Sequence, residues 1–368
     1  MPFVVLPKLG ETVSEATVGA WLKQPGDHVA VEESLFEVLT DKVNAEVPSP
    51  VSGTVVRWLV PEGATVPVGT PLCEVAPDAS PAGFFRLDRF IGTRPDARDA
   101  PVALMGLPMD WTASFRPGSR FGPIRIREAS YGLETYSPML DRDLEDYAVG
   151  DWGDLELPMG NVLASLDKIR AAARDLLARG QRVVGLGGEH LVALPLIEAA
   201  LDRWPNLAVV HLDAHADLRD QYLGQSLSHA TVLRRVAERC PPGSVHQFGI
   251  RSGTREEFQW ARAHTALHAR HVLEPLEQAL PALRGRPVYL TLDVDVIDPA
   301  YLPGTGTPEP GGITPDEAFQ ALYLLGGVRL VGADVVETMP AEDVSQRTAL
   351  LAAKLVRELL LVMAAQGA

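Results

Sequence analysis

Three apolar, β-branched runs in this 368-residue chain end abruptly in carboxylates or imidazoles, and few folds accept such endings. Residues 207–210 lead into His211-Leu212-Asp213-Ala214-His215-Ala216-Asp217. Residues 288–290 lead into Thr291-Leu292-Asp293-Val294-Asp295-Val296-Ile297-Asp298, and residues 183–186 into Gly187-Gly188-Glu189-His190. Runs of this kind form buried strands of a parallel sheet. Charged groups beside them are costly to bury unless a cation pairs with them. The carboxyl ends of such strands are the usual ligand edge of an open α/β sheet, and a metal there removes the cost. The chain therefore reads as a metalloenzyme.

In an extended strand alternate side chains share a face, so Asp293 and Asp295 are expected to point together. Asp213, His215 and Asp217 follow the same spacing, the last at the edge of a turn. With His190 these make four carboxylates and two imidazoles. An oxygen-rich set suits Mn2+ better than Zn2+, and six ligands exceed the need of one ion, which points to a two-metal site. Taken singly, each run has a plainer reading: an Asp-x-Asp after a strand can be a helix cap or turn, and a lone His190 a satisfied core residue. Three such runs in one domain-sized segment argue against coincidence.

Together with Pro299, Gly304-Thr305-Gly306-Thr307-Pro308-Glu309-Pro310-Gly311-Gly312, the Arg116-Pro117-Gly118-Ser119-Arg120-Phe121-Gly122-Pro123 loop and Asp334-Val335-Val336-Glu337, these runs resemble the ureohydrolase (arginase/agmatinase) family over roughly residues 84 to 366. Glu189 departs from that pattern, since many members carry Asp there. The resemblance implies two Mn2+ per subunit: one held by His190, Asp213, Asp217 and Asp293, the other by Asp213, His215, Asp293 and Asp295. It places Glu337 where a carboxylate grips a substrate guanidinium, a planar cation matched to a fork of acceptors. His229 falls at a histidine near the mouth of the site that shuttles protons to the leaving amine. The plainer readings are a sheet-edge carboxylate for Glu337 and a surface histidine for His229. The implied reaction is hydrolysis of a small cationic guanidino compound to urea and a primary amine.

The segment from Leu218 to His229 lacks the Ser-Gly-Asn stretch with which arginases read an α-amino acid, and with the Trp111-Thr112-Ala113-Ser114-Phe115-Arg116 loop it resembles the agmatinase branch. Agmatine, giving putrescine in polyamine metabolism, is the expected substrate. N1-aminopropylagmatine, giving spermidine, and 4-guanidinobutyrate are the alternatives. Asp110 and Asp220 are candidates to bind a tail amine, with loop or cap roles expected instead. Two other classes are weighed. Deacetylases on a related scaffold keep a single-metal set, which the full ligand complement argues against. A lipoyl carrier with a non-catalytic scaffold domain is disfavoured by the intact ligands and Glu337.

The first eighty residues repeat at a spacing of 37. Thr17-Val18, Trp21-Leu22, Gly26, Val29, Val31, Leu35 and Glu37-Val38 recur as Thr54-Val55, Trp58-Leu59, Gly63, Val66, Val68, Leu72 and Glu74-Val75. Short strands with Pro-Gly or Glu-Gly turns in each copy predict a small all-β sandwich with pseudo-twofold symmetry. Two alternating strands flank Asp41-Lys42, which puts Lys42 at an exposed hairpin tip. The arrangement, with Leu6-Pro7-Lys8-Leu9-Gly10-Glu11-Thr12-Val13 and Val47-Pro48-Ser49-Pro50-Val51-Ser52-Gly53-Thr54-Val55, resembles the lipoyl domain of 2-oxoacid dehydrogenase acyltransferases. That implies lipoate on Lys42 and partners among lipoate-attachment or 2-oxoacid dehydrogenase components. Biotin is the weaker reading because no Met-Lys-Met is present. An unmodified docking or oligomerisation module is the plain alternative.

The expected organisation is a lipoyl/biotinyl-like domain at 1–76, a proline-bearing linker at 77–83 and a catalytic domain at 84–368. Amphipathic helices are predicted over 161–179 and about 344–364, the latter with Lys354, Arg357 and Glu358 on a polar face. Alternating helices and buried strands give an α/β, three-layer fold: a mostly parallel sheet covered on both faces. Cys73 and Cys240 fall in different domains and suggest no disulfide framework. No apolar run approaches a membrane span, and the start lacks a basic leader, so a cytoplasmic protein is expected. The net charge of −15 argues against nucleic acid and suits a cationic substrate. The family resemblance also implies a homo-oligomer, trimer or hexamer.

Overall fold

The computed structural model describes residues 3–7, 15–30, 33–39, 44–50, 53–77, 84–85, 89–94 and 99–366. The chain divides into two compact units, Met1–Pro81 and Ala82–Ala368. Lys42 and residues 78–83 of the expected linker lie outside the described residues.

Among its described residues the amino-terminal unit holds eight strands: β1 (Phe3–Val5), β2 (Glu15–Trp21), β3 (His28–Val29), β4 (Ser34–Leu39), β5 (Asn44–Pro48), β6 (Gly53–Trp58), β7 (Thr65–Pro67) and β8 (Pro71–Pro77). They form two four-stranded antiparallel sheets, ordered β1-β8-β6-β3 and β5-β4-β2-β7. The 37-residue repeat carries β2 onto β6, β3 onto β7 and β4 onto β8, so one sheet maps onto the other in the same order. Trp21 and Trp58, equivalent positions in the two copies, stack with ring centroids 3.8 Å apart. Leu35, Val38, Leu72 and Val75, again related pairwise by the repeat, are buried in one core. β4 and β5 pair with Leu39 opposite Asn44.

The second unit is a nine-stranded sheet. Its strands are β9 (Phe84–Phe85), β10 (Val102–Leu107), β13 (Val149–Leu155), β14 (Arg182–Gly187), β15 (Ala208–Leu212), β16 (Val245–Ile250), β17 (Ala266–Ala269), β18 (Pro287–Asp293) and β19 (Arg329–Val336), and a separate hairpin joins β11 (Tyr136–Ser137) to β12 (Arg142–Asp143). The order is β17-β16-β15-β18-β19-β14-β10-β13-β9. Eight strands are parallel, and β9 alone runs antiparallel, against β13.

Alternation along the strands supplies two cores. Ala208, Val210 and Leu212 enter one with Leu290, Leu292 and Val335. Val209 enters the other with Ala103, Met105 and Val183. Helices α1 (Gly122–Ser130), α6 (Leu273–Leu283), α7 (Pro315–Leu325) and α8 (Arg347–Ala364) cover the first face. The second is covered by α2 (Val162–Ala178), α3 (Ala193–Arg203), α4 (Val232–Ala237) and α5 (Arg255–His264). This is the three-layer α/β architecture expected from the sequence. Among the described residues no helix is long and apolar enough to cross a membrane.

Both predicted helices form, with a correction at the second. α8 starts at Arg347 because Asp343 accepts from the Thr348 amide at 2.7 Å and ends the preceding turn. Arg357 and Glu358 are buried, not surface groups. They pair with each other; Arg357 also donates to the Glu134 and Tyr136 carbonyls, and Glu358 accepts from Ser137 at 2.7 Å. Residues 134–137, which lead into the β11–β12 hairpin, supply these partners, and helical periodicity could not reveal them. Lys354 is exposed, as expected.

Candidate active site

Four adjacent strands, β15-β18-β19-β14, bring the six presumed ligands and Glu337 to one edge of the sheet. All but one of these residues follow the strand ends; Asp293 is the last residue of β18. The expected period-two reason for their convergence does not hold. Asp295 sits in a single 3-10 turn, Val294–Val296, folded back so that its amide donates to Asp293 Oδ1 at 2.9 Å. Asp213 likewise turns its Oδ1 onto the His215 amide. Asp217 adopts a left-handed backbone with φ 53°, and its carbonyl accepts from Leu233 and Arg234 at the start of α4. Side chains rarely adopt that region, so the helix start holds the loop in place.

His190 is fully buried with Nδ1 3.1 Å from Asp213 Oδ2, 3.2 Å from Asp217 Oδ2 and 3.4 Å from Asp293 Oδ2. None of the three is aligned as a hydrogen bond. The other ring nitrogen, Nε2, lies 2.9 Å from Thr291 Oγ1, which donates to Asp334 at 2.7 Å. Asp334 also accepts from Tyr289 at 2.8 Å. Because the Thr291 hydroxyl spends its proton on Asp334, it accepts from Nε2–H, and Nδ1 is the ring atom turned toward the three carboxylates, which draw the imidazole toward protonation and raise its pKa against the cost of burial. On the other side His215 Nδ1 is 2.8 Å from Asp295 Oδ2 and 3.7 Å from Asp213 Oδ1.

The electrostatics describe a cluster under strain. Burial, then the charges of Asp295 and Asp213, pushes the Asp293 carboxyl well up. Burial and Asp213 likewise raise Asp217, to about 7. Burial disfavours a charged His215, but Asp295 and Asp213 outweigh it and lift the imidazole to about 12. Carboxylates that raise one another, crowded against two imidazoles drawn toward protonation, make a site that calls for positive charge, and their oxygens and ring nitrogens form a donor set suited to divalent ions.

Glu337 has φ 63°. Its Oε1 accepts from the His190 amide at 2.8 Å, and it lines a pocket of about 310 Å3 together with Ser114, Asp217, Arg219, Tyr222 and His229. Burial and the nearby Glu189 raise its pKa. Glu189 is itself buried and accepts from the Thr112 amide and hydroxyl at 2.9 and 2.7 Å. Thr112 in turn accepts from the His229 amide at 3.1 Å. Glu189 thus ties the Trp111 loop and His229 to the end of β14. Burial pushes the His229 imidazole down to about 4, so it is neutral near pH 7.

Asp110 and Asp220 do not reach the pocket as tail acceptors. Asp110 accepts from the Gly118 amide at 2.7 Å and pairs with Arg120 at 2.9 Å. Asp220 is an exposed partner of Arg235 at 2.7 Å. Residues that sequence reasoning missed are the polar ones inside the strands: His211, Gln247, Thr291 and Tyr289. Their signal was faint, a polar side chain within an otherwise apolar strand. Arg219, which lies over the Tyr222 ring and 3.6 Å from Glu257, was likewise passed over.

A parallel sheet with this order, carrying an Asp/His cluster from three strand ends and a glutamate from the fourth, β19, defines a hydrolase of the ureohydrolase class. Comparisons with known proteins agree. The sequence profile of the arginase family matches residues 100–362. The agmatinase of Bacillus subtilis is 51% identical over 276 residues, covering 74% of this chain and 95% of that protein. The agmatinase of Bacillus anthracis is 50% identical over 275 residues, with the same coverage of 74% and 95%. The solved structure of the agmatine ureohydrolase of Thermoplasma volcanium superposes with a TM-score of 0.69 at 30% identity, over 76% of this chain and 95% of that one. The chain belongs to the arginase family. Its amino-terminal residues 3–75 match the profile described as Biotin-requiring enzyme, which covers biotinyl and lipoyl domains.

Proposed function

We propose that the protein hydrolyses agmatine to urea and putrescine, using two Mn2+ per subunit. The observation that carries this reading is the buried His190 Nδ1, ringed by three carboxylates beside the His215–Asp295 pair. Half the matched residues are shared with two bacterial agmatinases, which favours agmatine over longer or acidic guanidino compounds. One ion would be held by His190, Asp213, Asp217 and Asp293, the other by Asp213, His215, Asp293 and Asp295. A bound pair supplies Lewis acidity and an activated water.

The chain's own groups then do the rest. Glu337, with Oε1 committed to the His190 amide, offers Oε2 to a guanidinium N–H and orients the planar cation. The substrate cation lowers the cost of the Glu337 charge, which burial otherwise penalises. Water oxygen bonds to the guanidinium carbon, the bond from that carbon to the alkyl nitrogen breaks, and both water protons pass to the departing nitrogen, which leaves as an alkylammonium beside neutral urea. Neutral His229, at the pocket wall, is placed to pass one of them.

The amino-terminal unit is read as a lipoyl domain with Lys42 as its attachment site, and the whole as a cytoplasmic homo-oligomer. Urea release should be measured from Mn2+-loaded protein with agmatine, N1-aminopropylagmatine, 4-guanidinobutyrate and arginine, each beside a chelated control. Metal-dependent urea from agmatine in preference to the others is expected. Silence on all four with two ions bound per chain would overturn the substrate assignment, and binding of a single ion would overturn the two-metal site.

A further inference from the structure

His211, His190 and Asp213 present nitrogen and oxygen donors close enough together to hold one ion, so His211 could be taken for a seventh ligand. Its hydrogen bonds say otherwise. The ring is wholly buried on β15, with Nε2 2.7 Å from Asp213 Oδ2 and Nδ1 3.1 Å from Gln247 Nε2. Gln247, also wholly buried on β16, has its amide orientation fixed from outside. Its Nε2 donates to the Ala216 carbonyl at 2.9 Å, while its Oε1 lies 3.0 Å from the Thr265 hydroxyl, which is equally close to the Ala261 carbonyl. Turning the amide over would set its oxygen against the Ala216 carbonyl oxygen, two acceptors face to face. The second N–H of Gln247 therefore points at His211 Nδ1, which must accept it. The proton of neutral His211 is then on Nε2, aimed at Asp213.

We propose that Gln247 and His211 are positioning residues for the metal pair: Gln247 locks His211 in its Nε2–H tautomer, and His211 donates to Asp213 and holds the carboxylate that both proposed ligand sets would share. The Ala216 carbonyl that orients Gln247 lies between His215 and Asp217, so one amide braces both the loop and the carboxylate. This inference rests on the two-metal reading for its consequence and on hydrogen-bond logic alone for the tautomer. The two parts fail separately.

Two measurements test it on the full-length protein. Nitrogen-15 NMR of histidine-labelled, metal-free protein, with the His211 signal assigned by its loss in His211→Gln, reads the tautomer directly. The Nε2–H pattern is expected; an Nδ1–H pattern overturns the lock. Mn2+ affinity by chelator competition reads the consequence. Gln247→Glu removes both N–H donors and offers an acceptor to Nδ1, so it should move the His211 proton to Nδ1 and weaken Mn2+ binding by roughly 10- to 100-fold, the usual effect of losing a ligand's hydrogen-bonded partner. His211→Leu should do the same, whereas His211→Gln, which keeps an N–H near the Nε2 position, should retain most of the affinity. Affinities within twofold of the parent in both Gln247→Glu and His211→Leu would refute the positioning role. A fall from two ions to one per chain in His211→Gln would instead make His211 a ligand and overturn the proposal.

Discussion

Thr291→Val removes one oxygen from the middle of a buried chain while nearly keeping the side chain's shape. In the parent, Thr291 accepts from His190 Nε2 at 2.9 Å and donates to Asp334 at 2.7 Å. The variant leaves His190 Nε2–H without its acceptor and Asp334 with one donor fewer, although Tyr289 still serves its other oxygen. A neutral hydrogen bond is worth about 1 kcal/mol and one to a charged group about 2 kcal/mol, so the fold should lose about 3 kcal/mol. Freed from that acceptor, His190 can place its proton on Nδ1, where no ion can bind it. Mn2+ affinity should fall about 10- to 100-fold. Chelator competition measures the affinity and thermal unfolding the stability. Thr291→Ser keeps the hydroxyl and should recover most of both. Unchanged affinity in Thr291→Val, or an equal loss of affinity in Thr291→Ser, would refute the reasoning, since of the two only serine keeps the hydroxyl.

Glu337→Gln keeps the acceptor toward the His190 amide but loses the anion that faces the guanidinium; kcat/KM for agmatine should fall at least about tenfold, and a steady-state series with unchanged KM and kcat would count against the assignment. His229→Gln should lower kcat about 100-fold or more while leaving Mn2+ stoichiometry unchanged. The same histidine predicts a pH effect on folding. Its value near 6.5 in the unfolded chain drops to about 4 when burial excludes the charge. Between those values the unfolded state binds the extra proton, so the stability due to a neutral His229 is whole above pH 6.5 and is lost as pH falls toward 4, on the order of 3 kcal/mol in all; His229→Gln should flatten denaturant-derived stability in that window. Trp21→Ala removes half of the stack with Trp58 and should destabilise the amino-terminal unit by about 3 kcal/mol, read as an early transition in calorimetry.

The strand ends were legible because charge after a β-branched run has few innocent explanations, and the six presumed ligands and Glu337 all reach one edge. The local geometry was not legible. Asp293 and Asp295 share a spacing that suggests one face of a strand, yet the chain leaves the strand between them and turns. Hydrogen-bond wiring was harder still. His211, Gln247 and Thr291 look like ordinary strand positions until neighbouring strands are laid beside them, since His211 on β15 meets Gln247 on β16, and Thr291 on β18 meets Asp334 on β19. Arg357 and Glu358 were misjudged for a similar reason: a hairpin more than 200 residues away buries them. The amino-terminal sandwich was read most fully, because an internal repeat carries its own evidence of symmetry.

The strand order has a consequence for how this protein is made. β15 and β14 carry four of the six presumed ligands, but they are not neighbours; β18 and β19 lie between them. A ribosome that has delivered the chain only as far as residue 286 has supplied two partial sheets, β17-β16-β15 and β14-β10-β13-β9, each with an unpaired inner edge. Such edges invite pairing with other chains. The late strands close both edges in one act, and they bring Asp293, Asp295 and Glu337 with them. Metal capture would then report that synthesis is finished, and a truncated chain would show itself as one that aggregates and binds no pair of ions.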